Sequence, residues 1–154
     1  MTSPRRSLES SYARTLLPLA KMWRRAADRA LSDMNVSASI GWALVQVSRL
    51  GDDVRQTDLA SQLDVTQASL VRSIDQMTAA GLVERRRDPA DARVSRIRLT
   101  AHGRTLVTTI EAKFGTLRHE MLEGVSDEDL AVALRVAEQL AARFAARFAA
   151  DRAR

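Results

Sequence analysis

The sequence predicts a mainly α-helical fold with one small β-hairpin set among the helices, and three observations predict it. Apolar residues recur at helical spacing on both flanks, two short amphipathic segments succeed each other between Gln56 and Ala80, and beyond Gly81 the pattern switches to alternation. The 154 residues suit one domain, 1–154, with enough chain to bury a core.

On the N-terminal side, Leu19, Trp23, Ala26, Ala27, Ala30 and Leu31 form an apolar stripe. Pro18 disfavours a helix interior, so a helix either starts there with Pro18 at its first position or is kinked. A second helix, from about Ser37 to Leu50, contributes Ile40, Leu44 and Val47. The third carries Leu59, Ala60 and Leu63 on one face, Ala60 being small where another helix must come close. Asp64 then suits a left-handed turn, and Thr66 is a good N-cap for the helix that follows. That fourth helix buries Leu70, Ile74 and Met77 and turns Gln67, Ala68, Ser69, Arg72, Ser73 and Gln76 to its other sides. Gly81 stands where the residue after a helix end is expected, which stops the helix near Ala80.

The alternation that follows places Val83, Arg85 and Arg87 on one run and Val94, Arg96 and Arg98 on another, with Ser95, Ile97 and Leu99 interleaved. These are the two strands of a hairpin, and Asp88 to Arg93, with Pro89 unable to donate to a ladder, is its loop. Between Leu82 and Leu99 there are six arginines against three acidic residues. A two-stranded ribbon with so few apolar side chains must lean on the helices while its tip projects. Thr100 caps a long helix carrying Leu106, Ile110, Phe114 and Leu117 to about Leu122, and Gly124 interrupts it. Ser126 with Asp127, Glu128 and Asp129 signals a last helix start, since a hydroxyl cap and first-turn carboxylates suit the positive helix end. Leu130, Leu134, Ala137, Leu140, Ala141, Phe144 and Phe148 then form a stripe too long and too apolar to be left in water.

A helix with small, hydrogen-bonding residues outward, followed at once by an arginine-loaded ribbon, points to DNA. The exposed helix face suits a major groove, and projecting arginines suit phosphates and the narrow minor groove. Each half has a plainer reading, an ordinary packed helix pair and a solvated arginine run, but their succession is hard to explain by solubility alone. The formal charge of +5 favours an anionic partner. No apolar stretch approaches the roughly 20 residues that span a bilayer, and no secretory signal is visible, so a cytoplasmic protein is expected. The absence of cysteine excludes a disulfide framework and a thiol redox switch. His102 and His119 lie on one predicted helix, about 25 Å apart along its axis, so no metal site is expected from them. No nucleophile constellation or glycine-rich phosphate loop is present, and neither catalysis nor a cofactor is expected.

The segments QTDLASQL, SLVRSIDQM, GLVERRRDPADAR with Asp91 and Arg93, and the closing LTAHGR resemble the MarR family of bacterial transcriptional regulators. SLVRSIDQM together with KMWRRAADRAL resembles its SlyA-like branch most. The likeness is specific over about residues 20 to 107 and architectural beyond. It implies a winged helix-turn-helix over residues 37–99, flanked by helical dimerisation regions at 8–35 and 100–150, in a homodimer bound to a palindrome in double-stranded DNA. Two such recognition helices about 34 Å apart would meet successive major-groove faces. The alternative for the long apolar stripes is packing within one chain.

On this reading Thr66, Gln67, Ala68 and Ser69 face base edges, Ser73 and Gln76 lie on the same outward helix, and Arg72 reaches a guanine or a phosphate. Arg93 enters the minor groove, steadied by Asp91, while Arg85, Arg86 and Arg96 act mainly on phosphates. Asp64 and Ala92 depart from the family pattern, which usually has glycine at the first position and often a second wing arginine at the other. The resemblance further implies a small aromatic or phenolic effector between the dimer helices and the winged unit, with Trp23, Arg24 and Trp42 as candidate lining. The plainer reading of both tryptophans is core packing. Two rival functions stay open at this stage: an architectural, sequence-tolerant DNA-binding protein, and a helical adaptor whose basic ribbon binds an acidic protein.

Overall fold

Residues 3–51, 53–91 and 93–152 are described by the computed structural model. In chain order the elements are α1 (Pro4–Asp33), α2 (Ala38–Leu50), β1 (Val54–Arg55), α3 (Gln56–Leu63), α4 (Gln67–Ala79), β2 (Val83–Arg87), β3 (Ser95–Leu99), α5 (Ala101–Met121) and α6 (Asp127–Arg152). The mainly helical class with a small β element is thus observed. By spatial proximity the chain divides between Leu117 and Arg118.

In the first unit, α1 begins earlier than the sequence suggested. Pro4, not Pro18, occupies the first turn, and Pro18 lies inside the helix. Losing one backbone donor at Pro18 costs about 3 kcal/mol in isolation. Helix-forming Leu, Ala and Arg residues on both sides carry the helix through. The expected stripe divides as well: Ala27, Ala30 and Leu31 are buried, Trp23 and Ala26 are half-buried, and Leu19 is exposed together with Leu8, Leu16, Leu17 and Met22.

Two clusters form the interior of this unit, with α2 as their common wall. Leu44 and Val47 of α2 join Leu59, Leu70, Ile74, Met77, Ile97 and Leu99 in the winged core. Val45, on another side of α2, packs with Ala27, Ala30, Leu31, Ile110 and Phe114. The periodicity of α2 therefore serves both clusters, and Ser37 starts it by accepting a hydrogen bond from the Ile40 N–H.

Between α3 and α4 the chain turns in the space of three residues. Asp64 adopts the left-handed conformation (φ 52°, ψ 46°), and its N–H together with that of Val65 closes on the Ser61 and Ala60 carbonyls. Glycine would suit this conformation better, so Asp64 is a mild local strain. Gly81 (φ 67°) ends the next helix, with the Leu82 N–H reaching the Met77 carbonyl at 2.8 Å.

The β element is a three-stranded antiparallel sheet ordered β1-β3-β2, not the two-stranded ribbon expected. Val54 lies opposite Ile97 and Arg55 opposite Arg96, while β2 pairs with β3 from Val83↔Leu99 to Arg87↔Ser95. A third strand supports the base of a ribbon that would be marginal alone. Val83, Ile97 and Leu99 are buried at that base, whereas Glu84, Arg85, Arg86 and Arg87 are exposed. Thr100 then fastens the sheet to α5: its hydroxyl donates to the Gly81 carbonyl at 2.6 Å and accepts from the Gly103 N–H at 3.0 Å. A Cβ at position 103 would collide with the Leu82 carbonyl, so this close approach needs glycine.

In the second unit, Gly124 (φ 81°) separates α5 from α6. The Ser126 hydroxyl accepts from the Asp129 N–H at 3.1 Å, and Asp127, Glu128 and Asp129 occupy the first turn of α6. Leu130, Val132, Leu134, Phe144 and Phe148 are exposed on this helix, and the two phenylalanine rings stack with centroids 6.1 Å apart. No helix among the described residues is long and apolar enough to cross a membrane.

Candidate nucleic-acid interface

The outward face of α4 is built from its cap. The Thr66 hydroxyl accepts from the Ser69 N–H at 3.2 Å and donates to the Ser69 hydroxyl at 3.0 Å, fixing the first turn. Gln67, Ala68, Ser69, Arg72 and Gln76 are exposed, and Ser73 is half-buried. Gln67 receives a long hydrogen bond from Gln56 at the start of α3, 3.5 Å, so the two helices of the pair meet at their N-terminal ends. Leu70, Ile74 and Met77 hold the opposite face in the core, which leaves the polar side outward.

Beside this helix, the sheet carries its charges in rows. Because partners in register share a face, Arg55, Arg96 and Arg86 stand side by side across the three strands. Like charges so placed repel, and carboxylates offset them. Arg86 pairs with Glu84 at 2.9 Å, and Arg85 reaches Asp75 on α4 at 3.0 Å. Both pairs are exposed, so each is weak and can be exchanged for a phosphate.

Arg96 differs from the exposed phosphate contact that the sequence suggested. Its side chain is 24% exposed, and its Nε donates at 2.6 Å to Asp88, whose side chain is 5% exposed. Its Nη1 donates to the Asp53 carbonyl at 2.8 Å. The Asp88 carboxyl is held below its ordinary range, first by the Ala90 N–H and then by the Arg96 guanidinium, against an opposing push from burial. Asp91 also acts on backbone: it accepts from the Arg93 N–H at 2.9 Å, which shapes the loop and leaves the Arg93 side chain exposed. Ala92, the second departure from the family pattern, lies outside the described residues.

Arg85, Arg86, Arg87 and Arg93, with Val94 and Ser95, line an open hollow of about 280 Å³ at the outer end of the sheet. Arg87 was not among the expected contacts. It continues the Val83, Arg85 alternation, and that signal would have placed it beside Arg85.

A second concavity, of about 100 Å³, lies among α1, α2 and the helix pair. Arg24, Ser39, Trp42, Leu63, Val65, Ser69, Leu70 and Ser73 line it, so two of the three expected effector residues are on its wall and Trp23 is not. Asp28, which sequence reasoning missed, organises this wall. It accepts from Trp42 Nε1 at 2.6 Å and from Arg24 Nε at 3.1 Å, while the Arg24 guanidinium lies 4.3 Å from the Trp42 ring centre. Trp42 also packs on Phe114, centroids 5.3 Å apart, so it serves the core as well as the cleft.

The family model described as MarR family matches residues 41–94, which span α2 to the wing loop. Among solved structures, the transcriptional regulator PA3341 is 28% identical, with 86% of this chain and 97% of that one covered and a TM-score of 0.77. A MarR family protein from Bacillus stearothermophilus is 22% identical over 94% of this chain and 99% of its own, with a TM-score of 0.77. Wild-type MarR from E. coli is 21% identical over 83% and 94%, with a TM-score of 0.73. Residues 41–94 thus carry the MarR family pattern, and the chain has the winged-helix fold of MarR-family transcriptional regulators.

Proposed function

We propose that this protein is a sequence-specific, double-stranded DNA-binding transcriptional regulator, working as a homodimer on a palindromic operator. The observation that carries this reading is the polar, capped face of α4, tied through the Arg85–Asp75 pair to a wing ending in Arg87 and Arg93. Thr66, Gln67, Ala68 and Ser69 would select bases, Arg72 would reach a guanine or a phosphate, Ser73 and Gln76 would line the outward helix, and Arg93 would enter the minor groove. Arg85 and Arg86 would engage phosphates by exchanging their exposed carboxylate partners, and the exposed Arg87 would join them.

Dimerisation is supported by the uncovered apolar side chains of α1 and α6, which a second copy can bury. Modulation by a small aromatic or phenolic effector is supported by the cleft that joins Arg24 and Trp42 to Ser69 and Ser73 of α4. Its size, well below the roughly 300 Å³ of drug-sized sites, suits a single-ring acid. The likeness of α1 and α4 to the SlyA-like branch supports placing the chain there.

Selection of bound duplexes from a random pool tests this reading. A palindromic consensus is the expected result. Binding without enrichment and with steep salt dependence would establish the architectural alternative, and no binding to duplex DNA would favour the adaptor. A thermal-shift screen with aromatic acids, read beside DNA release, tests the effector: a shift without release would mean binding without regulation.

A further inference from the structure

We propose that Arg96 is a positioning residue for DNA recognition, locking the wing tip to the base of the sheet rather than touching phosphate itself. The inference rests on the DNA-binding reading above and assigns a separate task to one of its arginines.

Arg96 is the middle member of the row Arg55, Arg96, Arg86 and the one whose charge is taken up inside the protein. On one side its Nε holds Asp88, the single buried charged residue among those described. On the other, its Nη1 holds the carbonyl of Asp53, a non-glycine residue in left-handed conformation (φ 76°) just before β1. The nearer Asp53 carboxylate oxygen is 4.0 Å away, so the backbone carbonyl is the closer partner. A guanidinium fork can hold these two acceptors at once, and an ammonium cannot match that geometry.

The far side of the lock runs into the loop that presents Arg93. Asp88 also accepts from the Ala90 N–H at 2.8 Å, and its own N–H reaches the Val94 carbonyl at 2.9 Å. Asp91 then accepts from the Arg93 N–H. An unbroken set of hydrogen bonds therefore leads from Asp53 through Arg96 and Asp88 to the two sides of the loop. The contrast with Arg85 and Arg86 is in burial: their exposed partners are dispensable, whereas abandoning Asp88 would leave a carboxylate uncompensated at 5% exposure.

The test uses the full chain, Arg96→Lys, Asp88→Asn and the double variant. It has two readouts: amide exchange at Ala90 and Arg93, and affinity for a mixed-sequence duplex of about three helical turns. Each single variant is expected to speed exchange at both amides and to weaken binding about tenfold, the effect of losing one charge-assisted hydrogen bond. The double variant is expected to be no worse than the worse single, because both remove the same lock. The sign for Asp88→Asn is decisive. It removes a negative charge from a DNA-facing ribbon, so a residue that merely restrained a phosphate-binding Arg96 would, on substitution, tighten binding. Tighter binding by Asp88→Asn, or wild-type binding by Arg96→Lys, overturns the proposal. If wild type binds no duplex, DNA recognition itself has failed. Wild-type exchange rates in both variants would still refute the lock independently.

Discussion

The winged unit and the long helices treat their apolar residues in opposite ways. Leu44, Ile74 and Met77 are fully buried, whereas Phe144 and Phe148 are 53% and 58% exposed, and α1 leaves Leu8, Leu17 and Met22 equally bare. One region buries its hydrophobic pattern, and the other leaves an equally regular pattern exposed among the described residues. A helical stripe is thus evidence of burial but not of where the burying surface comes from. The same periodicity yields a finished core at α4 and an uncovered face at α6.

The sharpest way to break this contrast is to truncate one side chain from each region. Ile74→Ala should destabilise the chain by about 2–5 kcal/mol, because the winged core cannot refill the space. Thermal unfolding of Ile74→Ala and Phe148→Ala at low protein concentration checks the difference. An equal loss from Phe148→Ala would mean that α6 is already covered. The next effect belongs to association. Leu134→Glu combined with Phe148→Glu should convert the proposed dimer to a monomer by sedimentation and weaken binding to a selected operator about 100-fold, since two linked half-sites bind far better than one. A double variant that stays dimeric would place the interface elsewhere.

Legibility in the sequence followed the same division. Helices with strong caps were plain: Thr66, Thr100 and Ser126 each accept the expected backbone N–H, because a hydroxyl three residues ahead of its partner is a purely local device. The two alternatives for α1 could not be separated because Pro18 fits a first turn as well as a helix interior, and only the helix around it shows that it lies inside. β1 was missed since two residues cannot display an alternation, and their pairing with β3 is a long-range fact. At the site, the exposed α4 residues were legible from period alone. The different fates of Arg85, Arg86 and Arg96 were not, because alternation gives the face of an arginine and says nothing of the carboxylate waiting there.

Smaller effects separate the two halves of the proposed DNA-binding surface. Gln67→Ala should change the preference between operators by about 1–3 kcal/mol at one position, as expected for a base contact. Arg93→Ala should weaken binding to every sequence and lower the salt slope by about one unit. Titrations of both variants against several duplexes over a salt range check this. Sequence-independent loss for Gln67→Ala, or undiminished binding by Arg93→Ala at physiological salt, would dissolve the distinction between α4 and the wing.

The smallest expected effect lies in the acid range and concerns Asp88. The Ala90 N–H and the Arg96 guanidinium stabilise its charged form in the folded chain, so its folded pKa lies below the ordinary value of 3.8. A carboxyl depressed on folding contributes stability that is present above its unfolded pKa and is lost as pH falls through the folded one. Its contribution should therefore be complete at neutral pH, begin to fall near the ordinary value of 3.8, and vanish only below the lowered folded pKa. Asp88→Asn keeps an oxygen for the Ala90 N–H but no charge for Arg96. The gap in melting temperature between wild type and this variant should be widest near neutrality and narrow progressively on acidification. A gap that stays constant through that range would mean that the carboxylate charge contributes nothing, and that Asp88 holds the wing loop through hydrogen-bond geometry alone.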